Sequence, residues 1–192
     1  KQTPTNIDST ILTQILRLCT TAGDLAGTNG IFEDAKELGI SPTANMFSLL
    51  IDLCATVKNS EMALNILIDE LPRYGIEPNQ GIYSSLIRLH CATGDLEKAE
   101  STLKEMRLRG FLVTPPNFGS LITAMLTASV EEGRPELETK AIMYWNDMKR
   151  SSLKPTVPLL ATLLGLVQNS EFVESTLGAI LTFTHGRNAL ST

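Results

Sequence analysis

Apolar positions in this chain recur on two scales. Between Gln80 and Thr114, Tyr83, Leu86, Ile87 and His90 fall at i, i+3, i+4 and i+7, one face of a helix, and after a break at Gly94-Asp95 the same spacing resumes through Leu96, Ala99, Leu103 and Met106. The pair then repeats. Phe47-Ser48-Leu49-Leu50-Ile51 aligns with Tyr83-Ser84-Ser85-Leu86-Ile87 and Phe118-Gly119-Ser120-Leu121-Ile122 at steps of 36 and 35 residues, with Leu12 and Leu160 extending the column. A column of small residues, Thr28, Ala63, Ala99 and Ala141, advances by 35, 36 and 42. A third, Ala35, Leu71, Met106 and Met148, advances by 36, 35 and 42. Self-similarity at this period predicts stacked helical hairpins, each burying its apolar face only against its neighbours.

The expected fold is therefore all-α: a right-handed superhelical solenoid of about five antiparallel helix-turn-helix repeats, forming a single domain over residues 1–192. The repeats are read as 9–43, 44–79, 80–114, 115–156 and a degenerate or capping pair at 157–192. Punctuation keeps the same register. Gly94-Asp95 and Gly23-Asp24 each stop one helix and offer a carboxylate to the free amides of the next, and Asn59-Ser60-Glu61 and Asn169-Ser170-Glu171 are variants of that signal. Units end at Gly39-Ile40-Ser41-Pro42-Thr43, Gly75-Ile76-Glu77-Pro78-Asn79 and Ser152-Leu153-Lys154-Pro155-Thr156, where Gly closes a helix and Pro forbids its continuation. The seven extra residues of the fourth unit are assigned to 130–136, where Glu131-Glu132-Gly133-Arg134-Pro135 reads as a lengthened turn. The small column is expected where two helices cross closely.

A tetratricopeptide array fits less well, because its Trp, Leu-Gly and Tyr landmarks are missing from the first helices. The Phe/Tyr opening, the run Gly94-Asp95-Leu96-Glu97-Lys98-Ala99 followed by Met106 and Gly110, and the Gly-hydrophobic-x-Pro ending resemble pentatricopeptide repeats. The resemblance is closest over Asn45 to Thr114 and fades after Val157.

That resemblance implies a module that presents one base of single-stranded RNA to each repeat, read by the residue after the opening aromatic and the last residue of the repeat. In this chain the pairs are Thr13 with Thr43, Ser48 with Asn79, Ser84 with Thr114, and Gly119 with Thr156. Of these, Ser48 with Asn79 is the pair the family uses often, and it implies adenine. Gly119 has no side chain with which to read a base. Where the family places a branched apolar wedge, this chain has Thr10, Asn45, Gly81, Pro116 and Pro158. Where the family places a phosphate-binding cation, it has Thr21, Thr56, Ala92 and Thr127. The resemblance also implies a mitochondrial or plastid setting, no DNA, and one of three roles: an RNA processing, stabilisation or translation factor; a protein-facing scaffold in a ribonucleoprotein such as an organellar ribosome; or the non-catalytic arm of a nuclease of this family.

Charge bears on the first role. With 16 Lys and Arg against 21 Asp and Glu in 192 residues, a net charge of −5, the chain has no bulk attraction for polyanions, so any RNA contact must be local. Three cysteines do not make a disulfide framework, and Cys19, Cys54 and Cys91, one in each of three successive first helices, read as small core thiols rather than a converging metal site. His90 reads as a structural residue on a core-facing register; neither it nor His185 has a second ligand nearby in sequence. The Glu131, Glu132, Glu136 and Glu138 cluster reads as solvated, and the Trp145-Tyr144 pair as core filling for one ring with a docking patch open for the other. There is no His-x-Glu with Pro-Cys-x-x-Cys, no Gly-rich phosphate loop and no aspartate cluster, so no enzyme activity and no cofactor are expected of these residues. The longest apolar stretch, Val157 to Val167, is too short for a bilayer span of about 20 residues, so no membrane is expected. The opening at Lys1 rather than Met suits either a chain whose leader was removed or a segment of something longer.

Overall fold

The computed structural model describes residues 9–166 and, beyond them, Gly178 alone; the second half of the degenerate pair, including Asn169-Ser170-Glu171 and His185, lies outside the described residues. The described residues are helical with no strand among them, an all-α helical-repeat solenoid. They divide into two compact units, one ending at Leu112 and the other beginning at Val113.

The first unit holds three hairpins. α1 (Ser9–Ala22) pairs with α2 (Leu25–Glu37). α3 (Ala44–Thr56) is followed by α4 (Ser60–Asn65), a π-turn (Ile66–Glu70) and α5 (Leu71–Arg73). α6 (Gln80–Ala92) pairs with α7 (Leu96–Leu108). The starts follow the sequence signals: Asp24 accepts the Gly27 N–H at 2.9 Å, Asn59 that of Met62 at 3.0 Å, and Asp95 that of Lys98 at 3.2 Å. Each such cap stabilises its helix by about 1 kcal/mol. The π-turn has a local cause. Pro72 has no N–H to donate and its ring excludes the carbonyl four residues back, so the chain widens there and the Leu71 N–H reaches Ile66 O instead.

Between the hairpins the aligned columns form the core. Thr28, Ala63 and Ala99 are fully enclosed, as are Ala35, Leu71 and Met106. Phe47 sits at the centre, its ring 5.3 Å from that of Phe32 and 5.9 Å from that of Tyr74, so the opening aromatic of the second repeat joins two hairpins. Burying one such ring contributes roughly 1.5–3 kcal/mol. α1 packs on α3 and α3 on α6, and the Thr20 hydroxyl, which also donates to Leu16 O, lies 3.3 Å from Leu49 O across the first of these joints.

The second unit holds α8 (Pro115–Glu131), α9 (Pro135–Arg150) and α10 (Val157–Leu166), with α10 packed on α8. The seven extra residues do not lengthen the turn. α8 has 17 residues against 13 in α6 and α9 has 16 against 13 in α7, so the insertion is divided four and three between the helices. The turn is only Glu132 to Arg134, the same length as Thr93 to Asp95, and Gly133 adopts the left-handed conformation that closes it. Helix continues through Val130 and Glu131 because nothing in Thr127-Ala128-Ser129-Val130-Glu131 breaks it, and Pro135 and Glu136 favour the first turn of α9.

Both Tyr144 and Trp145 are buried, so neither ring offers a docking patch. Cys54 is fully buried, but Cys19 and Cys91 are only partly so. Burial pushes the Cys54 thiol up to about 11 and that of Cys91 to about 12, which leaves both poor nucleophiles. No helix among the described residues is long and apolar enough to cross a membrane, and no group of three His, Cys, Asp or Glu among them could hold a metal.

Candidate nucleic-acid interface

On the first helices α1, α3 and α6 the candidate reader positions Thr13, Ser48 and Ser84 are part-exposed polar side chains. In each case the hydroxyl proton goes to its own helix: Thr13 Oγ1 to Ser9 O at 2.6 Å, Ser48 Oγ to Asn45 O at 3.0 Å, and Ser84 Oγ to Gln80 O at 2.9 Å. What each offers outward is therefore an acceptor lone pair.

The last residues of the repeats turn out to be helix caps. Thr43 lies 3.4 Å from the Met46 N–H it caps, and Thr156 the same distance from the Leu159 N–H. Asn79 Oδ1 accepts the Ile82 N–H at 3.0 Å. Thr114 is more committed: its N–H and its hydroxyl both donate to Oδ1 of buried Asn117, at 2.9 and 2.7 Å.

The proposed pairs differ in how they meet. Ser48 and Asn79 converge on Gly81, where an added Cβ would lie 3.2 Å from Asn79 Oδ1 and 3.4 Å from Ser48 Oγ. Glycine here keeps the space between the two polar groups open. Gly119 is buried and faces α10 instead, a Cβ there falling 3.9 Å from Leu159, the same residue whose N–H Thr156 caps. Thr13 and Thr43 each bond to the backbone beside them, and Ser84 and Thr114 belong to different units.

A second row on these helices went unread in the sequence. Four residues on from Thr13, Ser48 and Ser84 stand Arg17, Asp52 and Arg88, one turn along the same face of α1, α3 and α6. Arg88 Nη2 is 2.8 Å from Asp52 Oδ1, out of line for a hydrogen bond, and that buried oxygen has no hydrogen-bond donor among the described residues. Burial raises the Asp52 carboxyl above its ordinary value, against the Ser85 hydroxyl and the charges of Arg88 and Arg17, which lower it. Counting four from each reader position would have found the row. His90, half-buried near Asp95 and Lys98, has its imidazole shifted below the ordinary range chiefly by burial.

These features define a helical-repeat module that holds polar side chains at fixed register. The chain belongs to the pentatricopeptide-repeat family: a family model described as the pentacotripeptide-repeat region of PRORP matches residues 1–170. Among its relatives, small ribosomal subunit protein mL103 (rPPR7) of Arabidopsis thaliana is 34% identical over 119 residues, 61% of this chain and 27% of that protein. Pentatricopeptide repeat-containing protein 1, mitochondrial, of Mus musculus is 25% identical over 140 residues, 73% of this chain and 18% of the other. Two solved structures share the fold. PPR10 in complex with an 18-nt psaJ RNA element aligns with a TM-score of 0.72 at 21% identity over 91% of this chain and 24% of PPR10. The PPR domain of Arabidopsis thaliana protein-only RNase P 1 in complex with tRNA aligns with a TM-score of 0.65 at 21% identity, over 91% of this chain and 90% of that domain. The chain thus spans about a quarter or less of the length of these two relatives.

Proposed function

We propose that this segment binds single-stranded RNA as part of an organellar RNA processing, stabilisation or translation factor, and reads one base through Ser48 and Asn79. The observation that carries the reading is the division of hydrogen bonds at this pair. Ser48 has given its proton to Asn45 O and keeps an acceptor; Asn79 has lent its oxygen to Ile82 N–H and keeps its amide donors. An acceptor beside a donor complements a Watson–Crick edge carrying an amine next to a bare ring nitrogen, which adenine and cytosine have and guanine and uracil lack. The larger adenine is the first expectation, since a purine reaches further into the opening at Gly81. The other three pairs contribute position rather than sequence. The mitochondrial and ribosomal names of the relatives support an organellar setting.

The test is binding of the purified chain to a pool of single-stranded RNA at two salt concentrations, beside Asn79→Ala. Enrichment of adenine that vanishes in the variant supports the reading; no binding even at low salt sinks it.

A second reading has its own support. The relative that is a ribosomal subunit protein, together with the net charge of −5, favours a protein-facing role inside a ribonucleoprotein. Assembly retained after mutation of Thr13, Thr43, Ser48, Asn79, Ser84, Thr114 and Thr156 would favour it over base reading. In either role we infer that these residues bind rather than catalyse.

A further inference from the structure

The chain lacks cations at the end of its first helices, which leaves a strand over Ser48 and Asn79 with nothing there to meet its phosphates. The second row supplies them one turn earlier. Arg17 in α1 and Arg88 in α6 flank α3, the helix that carries Ser48, and all three stand at the same register on helices that pack in series. Neighbouring helix axes lie about 8–10 Å apart. The two guanidiniums therefore stand on the helices either side of α3, one turn along from Ser48 and its equivalents.

Asp52 pairs with the second of these, Arg88. Its carboxylate lies between the two arginines, holds Arg88 at 2.8 Å, and receives the Ser85 hydroxyl, whose own residue is buried. An Arg has five N–H donors in a planar fork, so a guanidinium with one nitrogen beside a carboxylate still has others to offer. The Arg88 side chain remains 53% exposed beside that carboxylate, and Arg17 is exposed as well. A lysine would supply the charge without the bidentate fit to a phosphate. In the second unit the same register of α8 holds Thr123, so the arrangement belongs to the first unit alone.

We propose that Arg17 and Arg88, the latter paired with Asp52, are the phosphate contacts of this module and bind the backbone of a single RNA strand next to the base held by Ser48 and Asn79. The inference rests on the RNA reading above and adds to it the source of its electrostatic affinity. Both arginines act on the backbone and carry no sequence information, whereas Asn79 carries sequence information and little charge.

The experiment is RNA affinity as a function of salt for the full chain and for Arg17→Ala, Arg88→Ala, the double variant, Arg88→Lys and Asn79→Asp, with circular dichroism melts to establish folding. Each lost phosphate contact on single-stranded RNA should reduce the slope of log affinity against log salt by about 0.7, so the double variant should lose about 1.4, with base preference unchanged. Arg88→Lys, which keeps the charge, should recover most of the slope lost in Arg88→Ala, a rescue that a merely structural role would not give. Asn79→Asp should change preference while retaining the two arginine contacts. A slope that survives in the single Arg17→Ala variant, whose exposed side chain has little part in folding, overturns the proposal, as does an Arg88→Lys indistinguishable from Arg88→Ala. Retained adenine selectivity with an unchanged slope in the double variant would overturn the phosphate contacts while leaving the base reading intact. Absence of RNA binding by the unmodified chain would overturn both, and loss of an acidic protein partner without loss of RNA affinity would move the row to protein recognition.

Discussion

Asn79 and Ile82 share a hydrogen bond, Oδ1 to N–H at 3.0 Å, that ties the proposed base reader to the start of α6. One side chain thus does two jobs, and substitutions separate them. Asn79→Ala should lower stability by about 1 kcal/mol through the lost cap as well as remove the reader. Asn79→Asp keeps an oxygen for the cap but replaces the amide donors with a second acceptor. Its melt should match the unmodified chain, and its preference should move from adenine to guanine, whose ring N–H and amine both donate. Equal loss of stability in the two variants would show that the cap does not depend on the oxygen.

The architecture was legible where a residue's role repeats with the period. Ala63, Ala99 and Ala141 announce close helix crossings, and Phe47, Tyr83 and Phe118 announce the core, because each recurs at one register and all are buried. Two features were not legible, for different reasons. The insertion at 130–136 carries turn-forming residues at Gly133 and Pro135, yet a single Gly closes the turn and the remaining residues extend helices on both sides. The row Arg17, Asp52 and Arg88 makes no pattern within any one helix and exists only once α1, α3 and α6 are laid side by side. The readers themselves were placed by family resemblance, and nothing in their spacing shows that Thr43, Asn79, Thr114 and Thr156 also lie at helix starts.

Tyr83 differs from Phe47 and Phe118 by one hydroxyl, which donates to Glu105 Oε1 at 2.9 Å; Arg109 pairs with the same carboxylate at 3.0 Å and lies over the Tyr83 ring. The ring alone serves the other two repeats, so Tyr83→Phe should fold normally and cost about 1 kcal/mol in chemical denaturation. Burial first, and then Glu105, hold the Tyr83 phenol above its ordinary 10.0. A raised pKa stabilises the fold below the unfolded value and is lost as pH climbs through the folded one. The gap between the two proteins should therefore narrow above pH 10, and a gap constant across alkaline pH would exclude the phenol as its source.

Lys58 adopts a φ of 54° at the register where Gly23 and Gly94 stand at 69° and 78°. A side chain in the left-handed region costs about 1–2 kcal/mol that glycine does not incur, offset in part by the greater freedom of glycine in the unfolded chain. Lys58→Gly should raise stability by roughly 0.5–1 kcal/mol, while Lys58→Ala should not. Thermal melts of the two variants side by side decide it; equal effects would show that the lysine charge, and not its backbone, matters.

Asp52 gives the protein a pH dependence of the opposite kind from a well-paired carboxylate. Burial is the largest influence on it and raises its pKa above the ordinary 3.8; the Ser85 hydroxyl, Arg88 and Arg17 oppose burial without cancelling it. The folded state then holds this proton more tightly than the unfolded chain does. Its contribution is favourable below the unfolded pKa and declines as pH rises through the folded one. Asn in its place keeps the shape and has no proton to lose. Relative to Asp52→Asn, the unmodified protein should therefore lose stability between about pH 4 and the folded pKa and hold a constant difference above it. Denaturation at a series of pH values measures this, and a carboxyl-carbon NMR titration locates the midpoint directly. A midpoint below 3.8 would mean that the ion pair with Arg88 outweighs burial, and the sign of the stability difference would invert.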